Sequence, residues 1–287
     1  MLYVPCRTSN ELGGRVKQGY AHNGMEKKKL KYPVILVHGI AAKDNNLFWG
    51  RIPETLRSAG IDVFLGNTDS WSGIERNALL LKESVDSALE KCGTEKVNLI
   101  AHSKGGIDSR FLISTLGYAP KIASLTTIST PHLGSEIVDF VYNKKYIHSK
   151  LAKAITNSLV RLYGDKSPEL HTMLGDLNTK NMIKFNLQNP DANSVYYSSY
   201  QSFIMSGFDD LSHFLTYYLI KRVSGANDGV VSLKSSKWGD NCTLIKGLKW
   251  GGISHSEIVD IKRRKISGVD VPAEYLNIVD MLISKGF

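Results

Sequence analysis

The chain of 287 residues is short of the features that mark several protein classes. It has three cysteines, Cys6, Cys92 and Cys242, an odd and widely spaced set with no CxxC pair. That usage indicates neither a zinc ribbon nor a disulfide framework, and allows one bridge at most. No stretch approaches the roughly 18 to 20 continuous apolar residues of a membrane span. Residues 1–14 are polar and lack the apolar core of a signal peptide, so the expectation is a cytoplasmic protein or a secreted one already trimmed. Acidic residues are in deficit, 27 against 36 Lys and Arg, for a net charge of +9. The basic residues are nevertheless spread along the chain, with the densest runs at Lys27–Lys31 and Lys262–Lys265. Nothing has the form of a nucleic-acid-binding motif, so nucleic acid is not an expected partner. A solvated basic surface is the plain reading, and peripheral contact with anionic lipid interfaces is the sharper one.

What is present is an alternation of strand and helix patterns. Residues 1–31 read as a polar arm that ends in a Lys cluster, followed by one domain over 32–287. Pro33 opens the apolar run Val34–Val37, of the kind buried on both faces of a parallel sheet. Arg51–Ser58 has helical spacing and Ile61–Leu65 reads as a second strand. Ser72 is placed to cap a helix with Ile74, Ala78, Leu81, Val85 and Leu89 on one face, and Gly93 is placed to end it. Strands follow at Val97–Ile100, Ile122–Ile128, within 195–207 and near Thr243–Lys249, with a closing helix over Ala273–Ser284. Such alternation implies right-handed crossovers and a mostly parallel sheet flanked by helices, with functional residues at the carboxyl ends of the strands.

The segment that organises this pattern is VNLIAHSKGG, Val97–Gly106. It reads as strand, sharp turn and helix, with Ser103 at the turn. A turn that lifts one side chain above the sheet needs small neighbours, because strand and helix approach closely there. Ala101, Gly105 and Gly106 meet that need, so the pattern is a G-x-S-x-G nucleophile elbow with Ala in the first position. An ordinary Gly turn that contains a Ser is the alternative.

A serine hydroxyl needs a base to remove its proton, best a His supported by a carboxylate. In hydrolases built on such an elbow the chain order is Ser, acid, His. Of eight histidines, His102 adjoins Ser103 but is expected on the opposite side of the strand. His38 and His132 sit in turn motifs, and His22, His148, His171 and His213 lie in arm, helical or loop contexts. His255, in the Gly-rich loop WGGISHSE, lies downstream and is the candidate base. Asp228 in GANDGVV is the candidate acid, although N-D-G is also a tight-turn signature, and Asp240 and Asp260 compete for the role. Two backbone amides are needed for a developing oxyanion, and those of Ile40 and Lys104 are placed to supply them. On this reading neither side chain carries a requirement, and Lys104→Ala should retain most activity.

Six blocks, YPVILVHGI, FWGRIPETLRSAGIDVF, EKVNLIAHSKGGIDSR, SLTTISTPHLGSEIVDF, ANDGVV and SHSEIVD, together resemble the bacterial triacylglycerol lipases of the pseudomonad type, within the α/β-hydrolase superfamily. The resemblance implies an α/β-hydrolase fold with a helical lid or cap inserted at about 136–182. There Ile147, Leu151, Ile155, Leu159 and Leu162 form the apolar stripe of an amphipathic helix, which either packs on the core or serves as a lid over an acyl-binding groove. It implies Ser103 as nucleophile, Asp228 as acid, His255 as base, the amides of Ile40 and Lys104 as oxyanion hole, and a lipid or small ester as substrate. No cofactor is required for that chemistry. Relatives carry a structural calcium near the base, for which Asp209 and Glu257 are the carboxylates in similar places, while Ile261 replaces a further family Gln. The function implied is a carboxylic ester hydrolase, in the first instance a lipase. A short-chain carboxylesterase or acyltransferase is the rival among enzymes, and a non-catalytic lipid-binding or membrane-associated protein the rival of another class.

Overall fold

The computed structural model describes residues 7–8, 28–142, 169–239, 241–247 and 251–287. Most of the expected N-terminal arm, the apolar stripe from Ile147 to Leu162 and Asp240 lie outside these residues. Among the described residues seven strands form one sheet: β1 (Arg7–Thr8), β2 (Val34–Val37), β3 (Val63–Leu65), β4 (Val97–His102), β5 (Ile122–Ile128), β6 (Tyr196–Gln201) and β7 (Cys242–Leu244). Their order across the sheet is β1-β7-β6-β5-β4-β2-β3, and every pairing is parallel. The central strands β2, β4 and β5 are buried at every position, which is why Val34–Val37 is a continuous apolar run and why polar residues in β4 and β5 pair with one another, as Ser124 does with Asn98 at 2.7 Å.

The two faces of β2 feed different cores. Val34 and Leu36 join Ile100 and Ile128 in a cluster closed by Trp49, Ile52 and Leu56 and by Tyr275, Ile278, Val279 and Leu282. Ile35 and Val37 join Leu99 and Ala101 in a second cluster, closed by Ala78, Leu81, Val85, Leu112 and Ile113. Helices therefore cover both faces, the condition for an all-parallel sheet. The closing helix runs Val271–Ser284, two residues longer at its start than its pattern suggested, because Pro272 fits the first turn without losing a needed N–H. Cys242 is disulfide-bonded and Cys92 is a free thiol.

Two local expectations are corrected. The helix Ile74–Cys92 has Gly73, not Ser72, at its N-cap. The Asp176 carboxylate accepts from the Ile74 amide at 2.9 Å, so a distant carboxylate satisfies the first turn in place of a neighbouring hydroxyl. The C-terminal expectation stands, since Gly93 adopts the left-handed conformation at φ 59 and ψ 36.

The second correction concerns Lys104. Its side chain is fully buried at the start of the helix Lys104–Ser114, and its Nζ donates to both oxygens of Asp108 at 2.7 and 2.9 Å. Asn77 Nδ2 donates to the same carboxylate at 3.1 Å. Burial drives the Asp108 carboxyl up to about 6, against the opposing pull of Lys104 and Asn77. The ammonium is therefore required by the core beside the elbow. The same helix approaches β2 so closely that a Cβ on Gly105 would meet the His38 carbonyl and lie 2.7 Å from Val37 O.

Three outcomes follow from this packing, all readable by urea denaturation. Lys104→Ala strands a buried carboxylate and costs about 3–5 kcal/mol of stability, while Lys104→Met with Asp108→Leu recovers most of the loss. Gly105→Ala costs about 1–3 kcal/mol through forced overpacking, more than Gly117→Ala, where a Cβ meets nothing and only the positive φ of 70° resists. Asp108 also sets a pH dependence. The folded chain holds a proton there that the unfolded chain has released, so this stabilisation is full below the ordinary value of 3.8 and is lost as pH rises through about 6. Asp108→Asn removes that slope.

Candidate active site

Ser103 follows directly on β4 and stands at φ 54, ψ −131, a positive φ that a non-glycine residue rarely adopts. The turn is held from both sides, since the Ser103 amide donates to Ile128 O at 2.9 Å and the Ser103 carbonyl accepts from Gly106 N at 3.1 Å. A Cβ on Gly39 would lie 2.6 Å from Ser103 Cβ and 3.1 Å from its Oγ, so the His38-Gly39 turn runs against the hydroxyl-bearing residue. The His38 ring anchors that turn, with Nδ1 2.8 Å from Gly39 O and Nε2 3.0 Å from Thr68 O. Ile40 follows Gly39, and Lys104 is the first residue of its helix, where leading amides have no intrahelical acceptor. Among the described residues neither the Ile40 nor the Lys104 amide has a turn, loop or cap acceptor.

Asp228 and His255 are brought together by two contacts. The His255 amide donates to Asp228 O at 2.9 Å, and His255 Nδ1 lies 2.8 Å from Asp228 Oδ2. The other carboxylate oxygen accepts the amides of Val230 at 3.0 Å and Val231 at 2.7 Å. Burial by itself would raise this carboxyl, but the charge and hydrogen bond of His255 and the two amides outweigh it, and the net direction is downward. An ionised carboxylate at Nδ1 holds the proton on that nitrogen and leaves Nε2 free to accept one. The turn reading and the acid reading of N-D-G are both realised: Gly229 N donates to Asn227 Oδ1 at 2.9 Å while Asp228 faces His255.

His102 links this pair to the elbow. Its Nε2 donates to the His255 carbonyl at 3.1 Å, and the two rings are 4.5 Å apart between centroids. Burial, then the neighbouring His255 charge, pushes the His102 ring well below its ordinary value, so it stands neutral beside His255. Sequence reasoning missed this contact. Alternation along a strand gives the side of β4 on which His102 emerges, but not that residue 255 crosses over to meet it. Among the described residues the Ser103 hydroxyl has no hydrogen-bond partner. Bonds of that kind tighten when substrate is bound.

The other candidates are committed elsewhere. Asp260 is buried and takes Arg51 N at 2.8 Å, Arg51 Nε at 2.9 Å and Arg51 Nη2 at 2.6 Å. His132 is buried, with Nε2 3.1 Å from Thr127 Oγ1 and its ring stacked on Trp238. His171 packs on Tyr142, and His213 Nε2 lies 2.8 Å from Ser256 Oγ.

The calcium expectation at Asp209 and Glu257 is corrected. Asp209 Oδ2 accepts the amides of Met205 at 2.7 Å and Gly252 at 3.0 Å, which makes it a loop brace. Glu257 accepts Ser254 N at 2.9 Å on one oxygen and Lys262 Nζ at 2.6 Å on the other. The ammonium takes the charge that a hard cation would need from that carboxylate, so these residues do not fit a calcium ion. Among the described residues no group of three or more His, Cys, Asp or Glu is arranged to hold a metal.

Residues 32–231 match the alpha/beta hydrolase fold family. The chain is 31% identical over 257 residues to triacylglycerol lipase 2 of Saccharomyces cerevisiae, a match covering 84% of this chain and 74% of that one. It is 38% identical over 143 residues to a triacylglycerol lipase of Pseudarthrobacter phenanthrenivorans, covering 47% of this chain and only 44% of that one. Among solved structures, the Staphylococcus hyicus lipase superimposes with a TM-score of 0.69 at 18% identity, over 92% of this chain and 98% of that one. A metagenomic carboxyl esterase does so with a TM-score of 0.72 at 16% identity, over 91% and 78%. With the parallel sheet and the elbow at the end of β4, these similarities identify the chain as a member of the α/β-hydrolase fold family, related within it to triacylglycerol lipases.

Proposed function

We propose that the chain hydrolyses carboxylic esters, with acylglycerols as its main substrates, through Ser103, His255 and Asp228. The observation that carries the reading is the 2.8 Å contact between His255 Nδ1 and the buried Asp228 carboxylate, at the end of the sheet where Ser103 stands at φ 54. In the reaction Ser103 Oγ attacks the ester carbonyl carbon while His255 Nε2 takes its proton. Asp228 supports the imidazolium so formed. The amides of Ile40 and Lys104 receive the oxyanion, the second aided by the helix start to which it belongs. The tetrahedral adduct collapses, the alcohol leaves with the proton from His255, and an acyl-Ser103 ester remains. Water, deprotonated by His255, attacks that ester, and the acid leaves as His255 returns the proton to Ser103 Oγ. Every group used is supplied by the chain.

A lipid substrate draws support from the surface near the base. Met205, Phe208, Leu211, Leu215, Leu219 and Val223 are exposed, with Lys221 and Arg222 among them. His213, at the N-cap of the helix Phe214–Ser224, reaches Ser256 beside His255, so this apolar surface adjoins the His255 loop. Exposed apolar groups flanked by basic residues suit an anionic lipid interface.

The test compares p-nitrophenyl butyrate with emulsified triolein. Both should be cleaved by the native protein. Ser103→Ala should lower turnover by roughly 10⁶ and Asp228→Asn by about 10⁴. Cleavage of the butyrate ester alone would make the protein a short-chain esterase, and Ser103→Ala retaining more than a few per cent of activity would refute the nucleophile.

A further inference from the structure

The loop that carries His255 is tied down on both sides of the base. Ser254 Oγ donates to Asp210 Oδ2 at 2.6 Å, and Ser254 N donates to Glu257 Oε2 at 2.9 Å. Lys262 Nζ lies 2.6 Å from Glu257 Oε1 and 3.7 Å from Asp210 Oδ2. One ammonium is thus shared by two carboxylates, both of which accept from Ser254, the residue before the base, and one of which belongs to Glu257, two residues after it. Both are buried, with side chains of Asp210 and Glu257 7% and 3% exposed against 34% for Lys262. Two buried carboxylates near one another repel and favour protonation unless a cation lies between them. Lys262 reaches them from just beyond a turn in which Asp260 N donates to Glu257 O and Arg263 N to Asp260 O.

We propose that Lys262 is a positioning residue for His255: its ammonium, lodged between Asp210 and Glu257, is a tethered cation that bridges the two carboxylates as a divalent metal ion would and so frees the loop from any metal requirement. The proposal rests on the reading of His255 as general base. The ammonium is a point charge on a flexible stem, which suits two oxygens that differ in distance by about an ångström better than a planar fork does. Its removal leaves two carboxylates and the Ser254 hydroxyl as hard oxygen donors, a set that favours calcium over softer ions.

The test uses Lys262→Met, which keeps the apolar stem, with Lys262→Gln as the alternative if the Met protein does not fold. Activity on p-nitrophenyl butyrate is measured in EDTA and in about 1–10 mM calcium, at or above the ~10⁻³ M range of weak protein sites. Melting of the inactive Ser103→Ala background is followed under the same conditions. The native protein should respond to neither. Lys262→Met should lose about ten- to a hundredfold in kcat with little change in KM, the scale of lost orienting partners. Calcium should restore most of that loss and raise the melting temperature of the variant, and Glu257→Gln in the same chain should abolish both responses. Full activity of Lys262→Met in EDTA, a loss that calcium neither rescues nor accompanies with a melting shift, or inactivation of the native protein by EDTA would each overturn the proposal. If the native protein hydrolyses no ester at all, the ester-hydrolase reading is what has failed. The melting shift alone then decides whether the carboxylate pair accepts a cation once the ammonium is gone.

Discussion

The close approach of β4, β2 and the helix Lys104–Ser114 is the constraint on which the rest of the site depends. Ser103 is held at a positive φ because the strand must end and the helix begin within one residue. Gly105 touches the carbonyls that end β2, Gly106 touches Thr130, and Gly39 touches Ser103 itself. Glycine is needed at these three places for contact distance, and the strain at Ser103 is borne by a sheet whose central strands are wholly buried. The two amides proposed to receive the oxyanion are by-products of the same geometry. One opens the new helix, and the other follows the glycine that lets β2 turn away beside it.

Around this frame the chain uses ion pairs to buried carboxylates to fix backbone. Lys104 with Asp108 braces the elbow helix, Arg51 with Asp260 joins the segment after Trp49 to the turn after His255, and Lys262 with Glu257 and Asp210 braces the His255 loop. Such pairs add little net stability over apolar replacements, yet breaking one partner is costly. Their use beside a site that needs placement to within fractions of an ångström fits a positioning role better than a stabilising one. Asp228 differs from these carboxylates. It is held by two amides and a His ring rather than by an ammonium or a guanidinium.

Much of the fold was legible because parallel strands buried on both faces leave apolar runs, as Val34–Val37 and Leu99–Ala101 do. The candidates Ser103, Asp228 and His255 stood out in the sequence because small residues, Asn-Gly neighbours and a Gly-rich loop punctuate it there, although only Ser103 directly follows a described strand. What escaped was contact between distant residues. Asp176 caps a helix that begins about a hundred residues earlier, and Asp210 shares an ammonium with Glu257 across a separation that no periodicity spans. Lys104 is a different case: its partner Asp108 stands at helical spacing in the sequence, but burial of the pair is visible only once the helix lies on the sheet. Asp209 and Asp210 are adjacent, and a backbone turn decides which one faces Glu257.

Reaction with a p-nitrophenyl alkylphosphonate, followed by intact mass and peptide mapping, tests most directly the claim that Asp228 and His255 activate Ser103. One phosphonyl group per chain is expected, on Ser103, formed rapidly in the native protein and almost not at all in His255→Ala. Modification at another residue, or equal labelling of Ser103 when His255 is absent, would contradict it.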